Sequence, residues 1–294
     1  MNIETSNNPT DSHVPEGSAA VQVIDMNRLS FKVEEAERKS KPFSFETYTK
    51  VEYSGLPVLG PFKYSNGATY KGQYKNGQRH GKGRQIMADG SCYDGYWVND
   101  MRNGHGRLIN TDSDVYTGEW VNDIAEGKGE LVRLDGSTYV GDWKADKQSG
   151  VGREKLADGS VYEGHYQNSL RHGKGIFNYA DGSKYDGNFV KDKMEGKGVY
   201  TWHDGKSYNG EWRNNQMNGQ GVFSFPDGRK YVGEYLEDKK HGYGEFFWAD
   251  GRIYKGTWVN GKQHGEGYFK NKQGVEGQGT WKDGVQMDWS GSSK

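Results

Sequence analysis

Aromatic and glycine positions alternate along this chain in a fixed register. Tyrosines stand at Tyr70, Tyr93, Tyr116, Tyr139, Tyr162, Tyr185, Tyr208, Tyr231 and Tyr254, always 23 residues apart. Glycine follows two positions later, from Gly72 to Gly256, and an aromatic ring two positions after that, as in Trp97, Phe189 and Trp258. Successive side chains of a strand point to opposite faces, so Tyr-x-Gly-x-Trp predicts a strand with Tyr, Gly and Trp on one face. The second half of each unit alternates too, in pairs such as Phe177/Tyr179, Tyr200/Trp202, Phe223/Phe225 and Phe246/Trp248, and predicts a second strand. Turn dipeptides separate the halves (Asn76-Gly77, Asn99-Asp100, Asn260-Gly261), and Asp-Gly closes most units, as at Asp89-Gly90, Asp181-Gly182 and Asp250-Gly251. Such dipeptides supply the positive φ of tight hairpins. The predicted fold is all-β: an elongated, twisted antiparallel meander of consecutive 23-residue hairpins, a single-layer curved ribbon with an aromatic-lined concave face.

The glycines fit that reading. The one between two same-face aromatics leaves room for rings of neighbouring strands. The pair at offsets eleven and thirteen, from Gly81 and Gly83 to Gly265 and Gly267, predicts a bend or bulge where the second strand starts. The array opens with a half repeat over 58–69, continues through nine units over 70–276, and ends in a partial unit and tail over 277–294, where Gly277 replaces tyrosine. Atypical terminal units are the expected caps. Residues 1–57 read as a largely disordered extension. They hold a short helix over 30–41, with Ser30 as its N-cap and Pro42 beyond its end.

Composition narrows the function. Glycine is 45 of 294 residues, and only 32% are apolar while 14% are aromatic. A thin aromatic core suits these proportions better than a spherical aliphatic one. The net charge of −1 excludes a global basic field for nucleic acid. One cysteine, Cys92, leaves no internal disulfide framework and fits a reducing compartment. No run of about 18 apolar residues is long enough to span a membrane. The polar start carries no secretory h-region, so the expectation is a cytoplasmic protein.

Candidate chemistry is absorbed by the repeat. His80, His172, His241 and His264 share offset ten with Asn103, Glu126, Ser149, Glu195 and Asn218, which makes it a turn hydrogen-bonding position and not a zinc site. The periodic Asp-Gly aspartates lack the local oxygen cluster of a calcium loop. The Gly-Lys-Gly triplets lack phosphate-loop spacing. No catalytic constellation stands outside the register, so neither an enzyme nor a cofactor is expected. The aromatic ladder carries two readings, a thin core and the lining of a groove for a partner. The groove candidates are Trp97, Trp120, Trp143, Tyr162, Tyr185, Trp212, Tyr231 and Trp258. The Phe31/Val33 and Phe43/Phe45 segments could lie in that groove or dock elsewhere.

The segment Tyr254-Lys255-Gly256-Thr257-Trp258-Val259-Asn260-Gly261-Lys262-Gln263-His264-Gly265-Glu266-Gly267 resembles the MORN (membrane occupation and recognition nexus) pattern throughout. The likeness extends over 60–284, with local departures at Ser113, Ala145-Asp146 and Gly277. The resemblance implies a ribbon of hairpins and a scaffold role at membranes, cytoskeletal structures and cilia. Its aromatic face would cradle a helix or extended segment of a protein partner. Where MORN repeats precede a catalytic domain, that domain needs chain this sequence does not offer after its array. A stand-alone array similar to protist and ciliary members is therefore expected. The alternative is a peripheral module that tethers to anionic phospholipid, which the near-neutral array disfavours.

Overall fold

A computed structural model describes residue 26 and residues 29–45 and 53–292. The disorder expected of the N-terminal extension concerns residues that lie mostly outside this set. Helix α1 spans Phe31–Lys39. The strands that follow are β1 (Val58–Lys63), β2 (Thr69–Lys75), β3 (Gln78–Ile86), β4 (Cys92–Val98), β5 (Met101–Ile109), β6 (Val115–Val121), β7 (Ile124–Val132), β8 (Thr138–Lys144), β9 (Lys147–Lys155), β10 (Val161–Gln167) and β11 (Leu170–Asn178). They continue as β12 (Lys184–Val190), β13 (Lys193–Thr201), β14 (Ser207–Arg213), β15 (Gln216–Ser224), β16 (Lys230–Leu236), β17 (Lys239–Phe247), β18 (Ile253–Val259), β19 (Lys262–Lys270), β20 (Glu276–Lys282) and β21 (Val285–Ser292). These 21 strands belong to one open antiparallel sheet of consecutive hairpins. The chain forms two compact units. The first runs to Ala157 and includes Tyr166–Ser169; the second comprises Asp158–His165 and the chain from Leu170.

Two turn types alternate, each set by its residues. Within a repeat the turn has two residues, both at positive φ: 52° and 78° at Asn76 and Gly77, 48° and 68° at Asn99 and Asp100. That is the hairpin geometry whose twist matches the strands. The Asp-Gly turn between repeats is longer. The Met87 N–H donates to the Ser91 carbonyl at 2.9 Å and the Gly90 N–H to the Met87 carbonyl at 3.0 Å. Only Gly90 has positive φ there, and the Asp89 carboxylate accepts the Ser91 N–H at 2.9 Å. The aspartate is thus a turn cap.

The paired glycines do two different jobs. Gly196 has φ +66° and sits where the register of β12 and β13 shifts, a bulge. Gly198 pairs across the sheet with Gly187 in ordinary strand geometry. A Cβ there would lie 2.4 Å from the Tyr185 hydroxyl and 2.6 Å from its ring carbons. One glycine bends the strand, and the other gives up its side-chain space to a tyrosine ring lying flat on the backbone.

Those rings make the core of each unit. In the second unit Tyr185 meets Phe189 at 5.1 Å and Trp212 at 5.5 Å, and Tyr208 meets Trp212 at 5.2 Å and Tyr235 at 5.1 Å, all edge to face. In the first, Tyr93 meets Trp97 and Trp120 at 5.2 and 5.5 Å in the same manner. Edge-to-face pairing of this kind adds about 0.5–1.5 kcal/mol per pair beyond burial. The polar tips are satisfied: Tyr185 Oη donates to the Asn188 carbonyl at 3.1 Å, and Trp212 Nε1 to the Gly198 carbonyl at 3.1 Å.

The other face of the first unit carries α1. Ser30 caps the helix, its Oγ accepting the Val33 N–H at 3.4 Å. Val33 and Ala36 pack on Ile86, Cys92, Ile109 and Val115, joined by Met26 and Leu29. Arg84 grips both Glu37 carboxylate oxygens, at 2.6 and 2.8 Å. Arg107 donates to Asp94 at 3.0 Å and to the Lys41 carbonyl at 2.9 Å. Phe43 stacks on His105 at 5.4 Å, and Phe45 meets Tyr96 edge-on at 5.6 Å. Val33, Phe43 and Phe45 therefore lie on the face opposite the ladder, while Phe31 is 79% exposed.

Candidate functional site

The eight groove candidates sit in two sets of buried rings. Trp97, Trp120 and Trp143 belong to the first unit, and Tyr162, Tyr185, Trp212, Tyr231 and Trp258 to the second; none exceeds 5% exposure. Each ring is held between its neighbours and hydrogen-bonded at its tip. Such side chains support a surface without presenting themselves to it.

What the second unit does present is another row on the same face. Offset fifteen pairs directly across the sheet with the next tyrosine, as Phe177 with Tyr185 and Phe223 with Tyr231. Offset seventeen opens the inter-repeat turn, as where the Trp202 N–H donates to the Lys206 carbonyl at 2.9 Å. From the fifth to the eighth repeat both offsets are aromatic, and the rings link up. Phe177 and Tyr179 are 4.3 Å apart, Tyr179 and Tyr200 5.6 Å, Tyr200 and Trp202 4.6 Å, and Trp202 and Phe223 5.2 Å. The chain continues through Phe223 to Phe225 at 4.8 Å and Phe246 to Trp248 at 4.6 Å. Tyr179, Tyr200, Trp202, Phe223, Phe225 and Trp248 are half-buried. In the first unit the same offsets hold Gln85, Leu108, Leu131 and Glu154, then Met87, Asn110, Arg133 and Leu156. The second row belongs to the second unit alone.

Cations decorate that row. Arg229 lies 4.5 Å from the Phe225 centroid and pairs with Asp227 at 2.7 Å; Arg252 lies 5.1 Å from Trp248 and pairs with Asp250 at 2.9 Å. Lys240 stands 4.4 Å from Phe246 and 4.7 Å from Trp258, and burial among these rings lowers its ammonium to about 8. The same burial raises the ladder tyrosines, Tyr162 and Tyr254 to about 12. Phenols held protonated and capped by carbonyls are structural donors, poor candidates for acid–base work.

Offset ten acts as a turn acceptor. Glu126 and Glu195 accept the Ala145 and Asn214 N–H groups, both at 3.0 Å, and His80 Nδ1 accepts that of Asn99 at 3.4 Å. Cys92 is buried beneath α1, and burial pushes its thiol up, away from the reactive thiolate. Among the described residues no helix is long and apolar enough to cross a membrane.

No curated protein matches the chain. Among solved structures it is similar to the SAS-4 (dCPAP) TCP domain of Drosophila melanogaster, in complex with a proline-rich motif of Ana2 (dSTIL). That likeness has 12% identity over 53% of this chain and 85% of the other, at a TM-score of 0.33. The TCP10 domain of Danio rerio CPAP aligns at 10% identity over 80% and 100%, TM-score 0.28. Virginiamycin B lyase from Staphylococcus aureus aligns at 11% over 80% and 83%, TM-score 0.15. The MORN repeat model matches nine consecutive segments, 70–92, 93–115, 116–138, 139–161, 162–184, 185–207, 208–228, 231–251 and 254–274. With that span matched in the register that sets the tyrosine ladder, the chain belongs to the MORN-repeat family.

Proposed function

We propose that this protein is a non-enzymatic scaffold that holds a segment of a partner protein along the aromatic face of its second unit, within a cytoskeletal or ciliary assembly. The family is a non-catalytic repeat array suited to protein binding. The observation that carries the finer reading is the half-buried row from Tyr179 to Trp248. Contiguous, partly exposed aromatic surface marks interfaces, because wide rings gain burial at small entropic cost. The buried ladder forms the floor of this surface and the row its contact layer.

Spacing narrows the partner. Tyr179, Trp202, Phe225 and Trp248 recur once per repeat, two strands apart, or roughly 9–10 Å. An extended segment advances about that far in three residues, and a helix in about seven. Either can seat one side chain per repeat. Charge does not favour a lipid surface, since the chain is nearly neutral and Arg229 and Arg252 already have carboxylate partners.

The test is affinity capture from cells of the source organism with the full chain and with Trp202→Ala/Phe225→Ala. A partner retained by the first and lost by the second, with unchanged circular dichroism, supports the reading. Equal capture by both overturns it, as does tight, salt-sensitive co-sedimentation with anionic vesicles that the double variant leaves intact.

A further inference from the structure

We infer a second docking site, on the opposite face of the first unit: a cleft beside α1 shaped for an acidic amphipathic helix of a partner. It is independent of the aromatic row.

The seat of α1 shows what this face accepts. One apolar row crosses the strands there, Ile86 opposite Cys92, Cys92 opposite Ile109, and Ile109 opposite Val115. In the fifth to seventh repeats these outward positions are polar: Asn178, Lys184, Thr201, Ser207, Ser224 and Lys230. The helix begins at the turns, where Ser113 Oγ donates to the Lys32 carbonyl at 3.1 Å. It runs toward Arg84, which holds Glu37. It covers the row as far as Val115, which is 8% exposed.

The row does not stop where α1 does. Val115 pairs with Val132 on β7, which is 37% exposed. Diagonally beyond it, Val140 on β8 and Val151 on β9 are each 53% exposed, and Leu134 is 66% exposed. Val140 is the hub, standing opposite Glu130 on β7 and Arg153 on β9. An aliphatic strip thus continues on the same face, bare where its first part is covered.

Between strip and helix lies a cleft of about 510 Å³, with Val115, Val132 and Leu134 on one side and Lys32, Ala36 and Lys39 on the other. The strand residues that line it lie on β5, β6 and β7, and its β6–β7 side is two strands from the β4–β5 seat of α1, or roughly 10 Å. Helices pack at 8–10 Å between axes. A second helix laid beside α1 would therefore touch both the strip and the Ala36 side of α1.

Charge selects which helix. The cleft is lined by five basic side chains, Lys32, Lys39, Lys41, Arg107 and Arg133, against two acidic ones, Glu35 and Glu130. Arg107 is offset by Asp94, Lys39 by Glu35 at 2.8 Å, and Arg133 by Glu154 at 3.5 Å. The excess remains positive, concentrated at the two ends of the helical wall. A helix with Val, Leu or Ile on one stripe and Asp or Glu beside it matches both features. Glu37 of α1 already satisfies this face in that way.

The probe is a displayed library of helical peptides randomised on one face and selected on the full-length protein. The enriched sequences should carry aliphatic residues flanked by Asp or Glu. Their affinity should fall roughly tenfold or more, about 1.4 kcal/mol, with Val140→Asp and with Lys41→Glu, and should weaken with salt. Trp202→Ala should leave it unchanged, which separates this site from the aromatic row. Val140 is already solvent-exposed, and Lys41 is exposed beyond the end of α1, so thermal unfolding should confirm that both variants fold. The proposal is overturned by several outcomes. They are failure to enrich, enrichment of basic or neutral helices, or binding indifferent to Val140→Asp. It also fails if binding appears only after Glu4, Asp11, Glu16 and Asp25 are neutralised, because the chain's own N-terminal residues then hold the cleft. Self-association abolished by Val140→Asp would likewise assign the face to a second copy and refute the partner.

Discussion

Two tryptophans ten residues apart separate floor from contact layer. Trp212 is 5% exposed, sits edge-on to Tyr185 and Tyr208, and donates to the Gly198 carbonyl at 3.1 Å. Trp202 is half-buried, 4.6 Å from Tyr200 and 5.2 Å from Phe223. Removing a buried tryptophan side chain leaves a cavity worth about 3–5 kcal/mol. Here the cavity would open beneath two tyrosines whose edges lose their partner. Removing a half-buried ring forfeits about 1–2 kcal/mol of burial. A unit of about 130 residues has an unfolding entropy near 0.27 kcal/mol/K. Trp212→Ala should then lower the second unit's melting midpoint by roughly 10–18 °C, and Trp202→Ala by about 4–7 °C. Differential scanning calorimetry of the full chain reads both. If Trp202→Ala destabilises as much as Trp212→Ala, the division into ladder and row is wrong.

Other outcomes follow from the same geometry. Gly198→Ala must push the Tyr185 ring off the backbone, for about 2–4 kcal/mol of overpacking and lost hydrogen bond. Gly265→Ala meets nothing within 4 Å and carries only its φ of +71°, about 1–2 kcal/mol, so urea midpoints should rank the two in that order. Lys240 titrates near 8 when folded and near 10.4 when unfolded, so the unfolded chain binds more protons in between and stability should rise across that window. The gain of wild type over Lys240→Met should therefore grow from pH 7.5 to 9.5, and a shrinking gain contradicts the placement. Above about 10 the ladder tyrosines reverse the trend, because their folded values are raised and only the unfolded chain ionises them. The Arg84 guanidinium holds Glu37 below the ordinary carboxylate range, so its contribution is present above about 4.3 and fades as pH falls further. Hydrogen exchange over 31–39 should accelerate in Glu37→Gln at neutral pH, matching wild type at low pH; unchanged protection would show that the apolar contacts of Val33 and Ala36 hold α1 alone.

The fold was legible because every repeat makes the same demand. Tyr, Gly and aromatic at offsets zero, two and four need one face of one strand, and nine copies in register leave no competing period. Offsets eleven and thirteen were less so. Both are glycine, yet one answers to backbone φ at Gly196 and the other to a ring from the strand beside it at Gly198. Spacing alone does not tell these apart. The candidate site was half legible. The ladder stood out by its periodicity, which is also the mark of a core. The contact row was visible as strand alternation at Phe177/Tyr179 and Tyr200/Trp202, and its meaning lay in a contrast, since the first four repeats lack it. The seat of α1 had a similar signal in Ile86, Cys92, Ile109 and Val115, apolar where the fifth to seventh repeats are polar. Departures from a repeat consensus locate sites that the consensus itself cannot.

A partner held on the second unit must touch the rings of the aromatic row. Hydrogen–deuterium exchange of the full chain, with and without its captured partner segment, should show new protection over 177–179, 200–202, 223–225 and 246–248, with little change at those offsets before residue 157. Protection confined to the first unit, or spread evenly over all nine repeats, would contradict it.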